Sequence, residues 1–254
     1  MQLQLSTWQE IQQRLTHDVG ILIPIGSTEQ HGPTGLIGTD AICPEVIARG
    51  VGDQHDVLVG PTLTLGSAQH HLGFTGTITL RPSTLLAVVR DVVQSLAHHG
   101  FRRILFLNGH GGNVATVNAA FSEVYADISW RGGVAPHCHI SSWWQGPRVV
   151  RLRKQLYGDN EGDHGTCSEI SMTQYAYPES IKHSPLQGRA PAYSGIFDAH
   201  DYRQRYPDGR IGSDPRLCSP EHGQQLFAAA VADVADTFAR FNTAKPTAMD
   251  TNAG

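Results

Sequence analysis

The 254-residue sequence has no apolar run approaching the roughly 20 residues that a membrane-spanning helix requires. It has no basic excess either, because 19 Lys and Arg residues stand against 23 Asp and Glu residues. That balance does not favour nucleic acid or an anionic membrane as a partner. The four cysteines form no Cys-x-x-Cys pair, which argues against a disulfide scaffold and a structural zinc knot. Since the N-terminus also lacks the pattern of a signal peptide, we expect a cytoplasmic protein with a small-molecule partner.

Histidine is abundant instead, with 14 residues, several of which stand beside glycines and carboxylates rather than in apolar runs. The length suits one large domain or two small ones, and neither an internal repeat nor a composition break divides the chain. We therefore predict a single domain over residues 1–242 and a flexible C-terminal tail over 243–254.

The apolar pattern alternates between short buried runs and helical periodicity, which predicts an α/β domain with a mainly parallel sheet and right-handed crossovers. The strand candidates are residues 20–25, 57–59, 77–80, 104–107 and 134–140. Helices are expected from Thr7 to about Leu15, from an N-cap at Asp40 to Gly50, over 85–100, from an N-cap at Asn113 to about Ile128, over 172–175 and over 221–241. The stretch 186–220 is expected to be an ordered surface excursion or a subunit contact.

The first group of polar residues, Glu29, His31 and Asp40, follows the first predicted strand. Ligands of open α/β sheets gather beyond the carboxyl ends of strands. Glu29 and His31 are two residues apart, so they point the same way in an extended segment. Two carboxylates and an imidazole suit zinc, manganese or iron and are too imidazole-rich for calcium. The alternative is a polar loop in which Asp40 only caps its helix and Glu29 is solvated.

A glycine-rich turn, Asn108-Gly-His-Gly-Gly-Asn113, separates the strand candidate 104–107 from the next helix. His110 stands between glycines that allow close backbone approach, as a metal ligand would. Such a turn can also cradle a phosphate on backbone N–H groups, so a non-catalytic phosphate- or nucleotide-binding module is an alternative. A tight turn with an incidental histidine is a second alternative. The turn has neither the Gly-x-Gly-x-x-Gly order nor the lysine of a P-loop.

A third segment places His164 in a predicted loop and Glu169 in the first turn of a helix, where an acidic residue can also serve only the helix dipole. The candidate ligands share one edge of the predicted sheet: Glu29, His31, Asp40, His110 and Glu169. Five ligands are too many for one zinc with open positions. They suit two divalent ions that are bridged by a carboxylate such as Asp40, with a water between them.

These segments resemble the creatininase, or creatinine amidohydrolase, family. The matching segments are residues 24–33, 38–40, 73–77 and 108–113, together with His164 five residues before Glu169. The resemblance implies a single-domain three-layer sandwich whose mainly parallel central sheet is flanked by helices, and a homohexameric assembly. It also implies two divalent ions per subunit (zinc, manganese or iron), the five residues named above as metal ligands, and His164 as the proton-transferring residue.

The sequence departs from the family pattern at three places. Thr34 replaces a histidine, and Gly165-Thr166 replaces Ala-Gly. Gly111-Gly112 stands where true creatininases carry Tyr-Glu, so a metal-binding glutamate is absent there and Glu169 has to serve the second ion. This arrangement resembles the Asn-Gly-His-Gly-Gly-Asn branch, which includes deformylases of pyrimidine intermediates and peptide-processing members.

The prediction for function is therefore a metal-dependent hydrolase that cleaves a C–N amide bond with a metal-bridging water as nucleophile. The substrate expected is non-peptide: a cyclic amide such as creatinine, or a related linear amide or formamide. A zinc peptidase-like processing enzyme is the other enzymatic alternative, although the chain lacks His-Glu-x-x-His. Candidate substrate-binding residues are Trp143, Trp144, His70 (beside His71) and Ser67, with core or interface packing as the alternative for the tryptophans.

Overall fold

The computed structural model describes residues 1–186 and 188–243 and confirms the predicted α/β fold. Three parallel strands form the central sheet in the order β1 (Gly20–Ile25), β2 (Arg103–Asn108) and β3 (His137–Ser142). Because β1 and β2 pair in register from Gly20–Arg103 to Ile25–Asn108, their carboxyl ends lie side by side. Apart from Thr243, the predicted tail lies outside the described residues.

Helices cover both faces of this sheet. They are α1 (Trp8–Arg14), α2 (Thr39–His55), α3 (Pro82–His98), α4 (Val114–Trp130), α5 (Pro147–Tyr157), α6 (Cys167–Ala176), α7 (Ala199–Arg205) and α8 (Pro220–Thr243). None of these described helices is both long enough and apolar enough to cross a membrane.

Two apolar cores separate the three layers. Leu22 and Leu105 face a core that contains residues of α2, α5, α6 and α8. Ile23 and Phe106 point to the opposite side, where they pack with residues of α3 and α4. Alternate residues of each strand thus enter different cores, which explains why the runs are continuously apolar rather than alternating.

Two of the predicted strands, 57–59 and 77–80, are wrong, because they contribute only isolated bridges: Val59 with Leu22 and Gln2, and Ile78 with Thr28. The first case has a local cause. The N–H groups of Leu22 and Gly26 donate to the carbonyls of residues 58 and 63. Pro24 stands between them and has no N–H to donate, so no continuous ladder forms along this edge of β1.

Helix α2, which follows β1, differs from its prediction at both ends. It begins at Thr39 after an N-cap at Gly38, so Asp40 lies inside the first turn and the predicted N-cap role of Asp40 is wrong. At the other end α2 passes Gly50 and continues to residue 55. Gly50 therefore does not end the helix. It is a close-packing position instead, where a Cβ atom would press against Phe227 and Val231 of α8.

Candidate metal centre

The start of α2 is held directly against the ends of two strands. Gly26 follows β1 and Gly109 follows β2, and a Cβ atom on either glycine would overlap the main-chain carbonyl oxygen of Asp40. Only glycine permits this approach. The side chain of Asp40 is therefore delivered to the paired strand ends by main-chain contact, and it stands 4% exposed.

Two groups of metal-ligand atoms meet at this edge and share Asp40. One consists of Glu29, Asp40 and His110, the other of His31, Asp40 and Glu169, and the ligand atoms in each lie within 4.8 Å of one another. Asp40 uses a different oxygen toward each side: Oδ1 lies 3.0 Å from His31 Nε2, and Oδ2 lies 3.0 Å from His110 Nδ1. All five sequence-predicted ligands are thus brought together, in the arrangement that two cations bridged by a carboxylate require.

The carboxylate oxygens of this centre fit a cation. Both oxygens of Glu29, which is 0% exposed, and Oδ2 of Asp40 have no hydrogen-bond partner among the described residues. His110 Nδ1 lies 3.3 Å from Glu29 Oε2. The two atoms are close, but they do not form a hydrogen bond. Buried carboxylates without donors are strongly unfavourable. Divalent cations would satisfy all three oxygens, so the residues present suit the predicted metal pair.

Charge pairing inside the centre changes the proton affinity of its histidines. Burial opposes a charge on His31, but Asp40 and Glu169 outweigh it and raise the pKa of His31 to about 10. Burial also opposes a charge on His110, and Glu29 and Asp40 raise its pKa to about 9. Burial raises the pKa of Glu169 to about 7. Protons and metal ions therefore compete for the same atoms.

Main-chain contacts orient the ring of His110 and engage the side chain of Asn113. Nε2 of His110 lies 3.0 Å from the carbonyl oxygen of Ser67 and donates to it, which leaves Nδ1 for a cation. Asn113 occupies the predicted N-cap position of α4, but its side chain makes no capping hydrogen bond. Its amide instead accepts from Ser67 N at 3.0 Å and donates to Gly26 O at 2.9 Å, which ties three loops together.

His164 also stands at the centre. Its Nε2 donates to the main-chain oxygen of Gln30 at 2.7 Å, so Nδ1 is the unprotonated atom, 3.9 Å from Glu29 Oε1. Burial, followed by the charge of His31, lowers its pKa well below the usual value. Nδ1 faces the ligands closely enough that Glu29, His31 and His164 form a third possible metal-binding group.

Two neighbouring side chains contact the centre although neither was predicted to contact or orient a metal ligand. His71 Nε2 lies 3.0 Å from Glu29 Oε1, and burial, followed by the charge of His70, lowers the pKa of His71 to about 2. Gln30 Nε2 lies 2.9 Å from His71 Nδ1 and 3.0 Å from His164 Nε2. Position was the only sequence signal: Gln30 lies between two ligands, and His71 lies next to the predicted His70.

A cavity of about 220 Å³ opens beside the ligands Asp40, His110 and Glu169. The other residues that line it are Gly109, Gly111, Trp143, Trp144, Arg153, Gly162, Asp163, His164, Thr166 and Ser168. Both predicted tryptophans reach it, but Trp143 is only 2% exposed and belongs mainly to the core. Ser67 and His70 are not among the described residues that line it. The ring of His70 packs at a tilt against that of His71, with ring centroids 4.3 Å apart.

The segment 186–220 covers part of the centre rather than lying only on the surface. Tyr202 of α7 is fully buried, and its ring centroid lies 4.7 Å from that of His71. The Tyr202 hydroxyl accepts from Gln30 Nε2 at 3.3 Å. His164 pairs with Ile211 through an isolated bridge. The segment therefore closes over Gln30 and His164 from above the sheet edge.

Known proteins share this fold and most of its length. A curated relative from Pseudomonas putida, named creatinine amidohydrolase, is 26% identical over 241 residues, 91% of this chain and 93% of that protein. A Mycobacterium tuberculosis protein named mycofactocin precursor peptide peptidase is 34% identical over 244 residues, covering 87% of this chain and 85% of that protein. A solved mutant creatininase of Zn-Zn type is 25% identical, covers 96% of this chain and 98% of its own, and superposes with a TM-score of 0.84.

The Zn-Zn form of that solved protein and the donor groups of this chain together confirm the class of cofactor predicted, a pair of divalent metal ions. The family model described as creatinine amidohydrolase matches residues 4–238. That match spans nearly the whole chain, and the resemblance seen in the motifs is confirmed: the protein belongs to the creatininase family of hydrolases.

Proposed function

We propose that this hydrolase cleaves the C–N bond of a small, non-peptide amide, either a cyclic amide or a related linear amide or formamide. The observation that carries the proposal is the sharing of Asp40 between two groups of buried metal-ligand atoms. Two divalent ions held by these groups would lower the pKa of a water between them toward neutrality and polarise the amide carbonyl.

The ligands divide into two sets around the shared carboxylate. Glu29 and His110 would hold one ion and His31 and Glu169 the other, and Asp40 has one oxygen beside each set. Glu169 reaches the centre from the first turn of α6, where its backbone N–H is bonded to the Thr166 side chain. It supplies the carboxylate that the Gly111-Gly112 turn does not provide.

His164 is the proposed proton carrier. Its Nδ1 is free of a proton in the described geometry and faces both the ligands and the cavity. In the reaction Nδ1 takes a proton from the attacking water and passes it to the leaving nitrogen. The hydrogen bond to the main-chain oxygen of Gln30 and the edge contact with the Tyr202 ring orient the imidazole of His164.

The dimensions of the cavity support a small substrate. Its volume of about 220 Å³ is below the roughly 300–1,000 Å³ of pockets for drug-sized ligands. The partly exposed ring of Trp144 forms an apolar wall, and Gly111 leaves open space opposite the ligands. A planar amide a few atoms across fits these limits.

Peptide processing is the second candidate, and two observations favour it. The peptidase-named relative is more similar, at 34% identity, than the amidohydrolase-named one, at 26%. A second groove of about 720 Å³ adjoins the cavity and shares Gly162 and Asp163 with it. A peptide lying in the groove would place one amide bond in the cavity.

The phosphate-binding alternative has less support. Of the N–H groups in the turn after β2, that of His110 donates to Asn108 Oδ1 at 3.1 Å, and that of Asn113 donates to His110 O at 3.2 Å. These donors are engaged within the turn rather than directed at a ligand.

A substrate panel tests the proposal. The zinc- and manganese-loaded protein is assayed with creatinine, simple formamides, cyclic ureides and short peptides, with Asp40→Asn as the inactive control. We expect metal-dependent hydrolysis of at least one non-peptide amide, detected as the ring-opened acid from a cyclic amide or as the free amine from a formamide. Cleavage of peptides alone would replace the proposal with the processing function, and a wild-type protein that retains no metal would remove both.

A further inference from the structure

An arginine lines the cavity of the metal centre without being a ligand or a proton carrier. Arg153 of α5 is the one Lys or Arg residue among the described residues that line this cavity. Its side chain is 21% exposed, so it is mostly covered but still reaches the cavity surface.

The guanidinium is oriented by contacts on one side only. Its Nε donates to Glu161 Oε1 at 2.8 Å and its Nη1 donates to the carbonyl of Trp144 at 3.2 Å. Nη2 makes no hydrogen bond to any described residue. Two fixed donors and a free terminal edge are the arrangement that guanidinium groups use for two-point binding of planar anions.

Glu161 is itself held in place, so the arginine is not a flexible surface side chain. Glu161 is 7% exposed and accepts hydrogen bonds from the hydroxyl and the backbone N–H of Ser168, the latter at 3.2 Å. Ser168 precedes the ligand Glu169 in α6. The free edge of Arg153 is therefore fixed relative to the ligands.

We propose that Arg153 binds an anionic group of the substrate, a carboxylate or a phosphate, and that the enzyme acts on amides that carry such a group beside the scissile bond. This inference rests on the proposed function, because it gives the substrate class of the same cavity. Arg153 would act as a specificity-determining residue. It binds the substrate away from the reacting atoms and takes no part in proton transfer.

A matched pair of probes tests the role of charge. N-formylglycine carries a carboxylate and N-formylglycinamide is its neutral counterpart, and binding of each to the zinc-loaded protein is measured by calorimetry before turnover is assayed. We expect the wild type to bind the anionic probe roughly tenfold to hundredfold more tightly, as charge-assisted hydrogen bonds require. Arg153→Gln should abolish this preference and leave binding of the neutral probe within about twofold.

Arg151→Gln is the matched control, because Arg151 lies exposed on the same helix and its substitution removes the same charge. It should leave both affinities unchanged. Equal loss for both probes in Arg153→Gln would mean a structural role and would overturn the inference, as would a wild type without preference or without detectable binding of N-formylglycine. An N-phosphonomethyl formamide probe, compared in the same way, shows whether a phosphonate is preferred to a carboxylate.

The two proposals fail differently. Charge-dependent binding without hydrolysis of any amide would contradict the proposed function and support the role of Arg153. Hydrolysis of both probes at equal kcat/KM, with no preference in binding, would support the function and overturn the role of Arg153.

Discussion

Replacing Asp40 with asparagine should weaken both metal sites together. The change removes one negative charge whose two oxygens each lie 3.0 Å from a ligand nitrogen of a different group. At an effective dielectric constant of about 20, a unit charge pair at 3.0 Å interacts with about 5 kcal/mol, which is an upper limit for the loss toward each singly charged neighbour. The amide oxygen of asparagine can still coordinate a cation weakly, which recovers part of this interaction energy.

We therefore expect at least a hundredfold loss of affinity for each ion, or about 2.7 kcal/mol. Metal content is measured by elemental analysis after equilibrium dialysis in zinc-buffered solution. The matched control is Asp53→Asn, because Asp53 lies exposed on the same helix α2 and outside both ligand groups. Circular dichroism checks that both variants fold.

Asp40→Asn should weaken the binding of both ions together. If Asp40→Asn retained two ions per chain with wild-type affinity, Asp40 would not bridge them. If it lost one ion and kept the other unchanged, the carboxylate would belong to a single site. Either result would refute the shared-ligand geometry.

Three further predictions concern the same centre. His164→Ala should slow turnover roughly a hundredfold to ten-thousandfold while metal content stays at wild-type level, and a loss of metal would instead make His164 a ligand. Gly112→Ala should reduce metal affinity, because its Cβ atom would press on His110 Nε2 and the Ser67 carbonyl. Gly111→Ala is the control and should not reduce it, because position 111 has open space around it. Equal metal affinities of the two variants in a metal titration would contradict this prediction. Finally, His31 and His110 have pKa values raised to about 10 and about 9, so both are protonated at pH 7 in the metal-free protein. Glu169, with a pKa raised to about 7, holds part of a further proton at that pH. Zinc binding should then release two protons from the histidines and part of one from Glu169, and it should tighten steeply from pH 7 to about pH 9. Calorimetry in buffers of different ionisation enthalpy measures the release, and a value near zero would contradict the prediction.

The meeting of the five candidate ligands at one edge was predictable from the sequence, because each lies next to the end of a recognisable element. Glu29 and His110 come directly after buried strands, and parallel neighbours end at one edge. Glu169 was predictable from a helix start. The same reasoning misassigned the backbone role of Asp40, since an acidic residue near a helix N-terminus is usually a cap. Here its carboxylate lies between two imidazoles instead, and Gly38 takes the N-cap position.

The cavity wall and the support of the ligands were not predictable from local patterns. Gln30 contacts Tyr202 across 172 positions of the sequence, and it does so because the 186–220 segment folds back over the sheet edge. Arg153 lies on α5, a helix whose position depends on its packing against α8. No spacing of residues in the sequence predicts either position. The strand candidate 57–59 failed for a similar reason, because Pro24 on the neighbouring segment decides whether it can pair.

The site draws its two kinds of residues from different parts of the chain. Of the five candidate ligands, Glu29, His31 and His110 come from the turns after β1 and β2, and glycines and asparagines fix these turns and the start of α2 to one another. Three residues of the cavity wall, Trp144, Arg153 and Asp163, stand between β3 and α6. Exchanging residues 144–163 alone, which leaves His164 and the five candidate ligands in place, should therefore redirect the enzyme to new amides without rebuilding its catalytic centre. A single scaffold could serve relatives named for a small heterocycle and for a peptide on that basis.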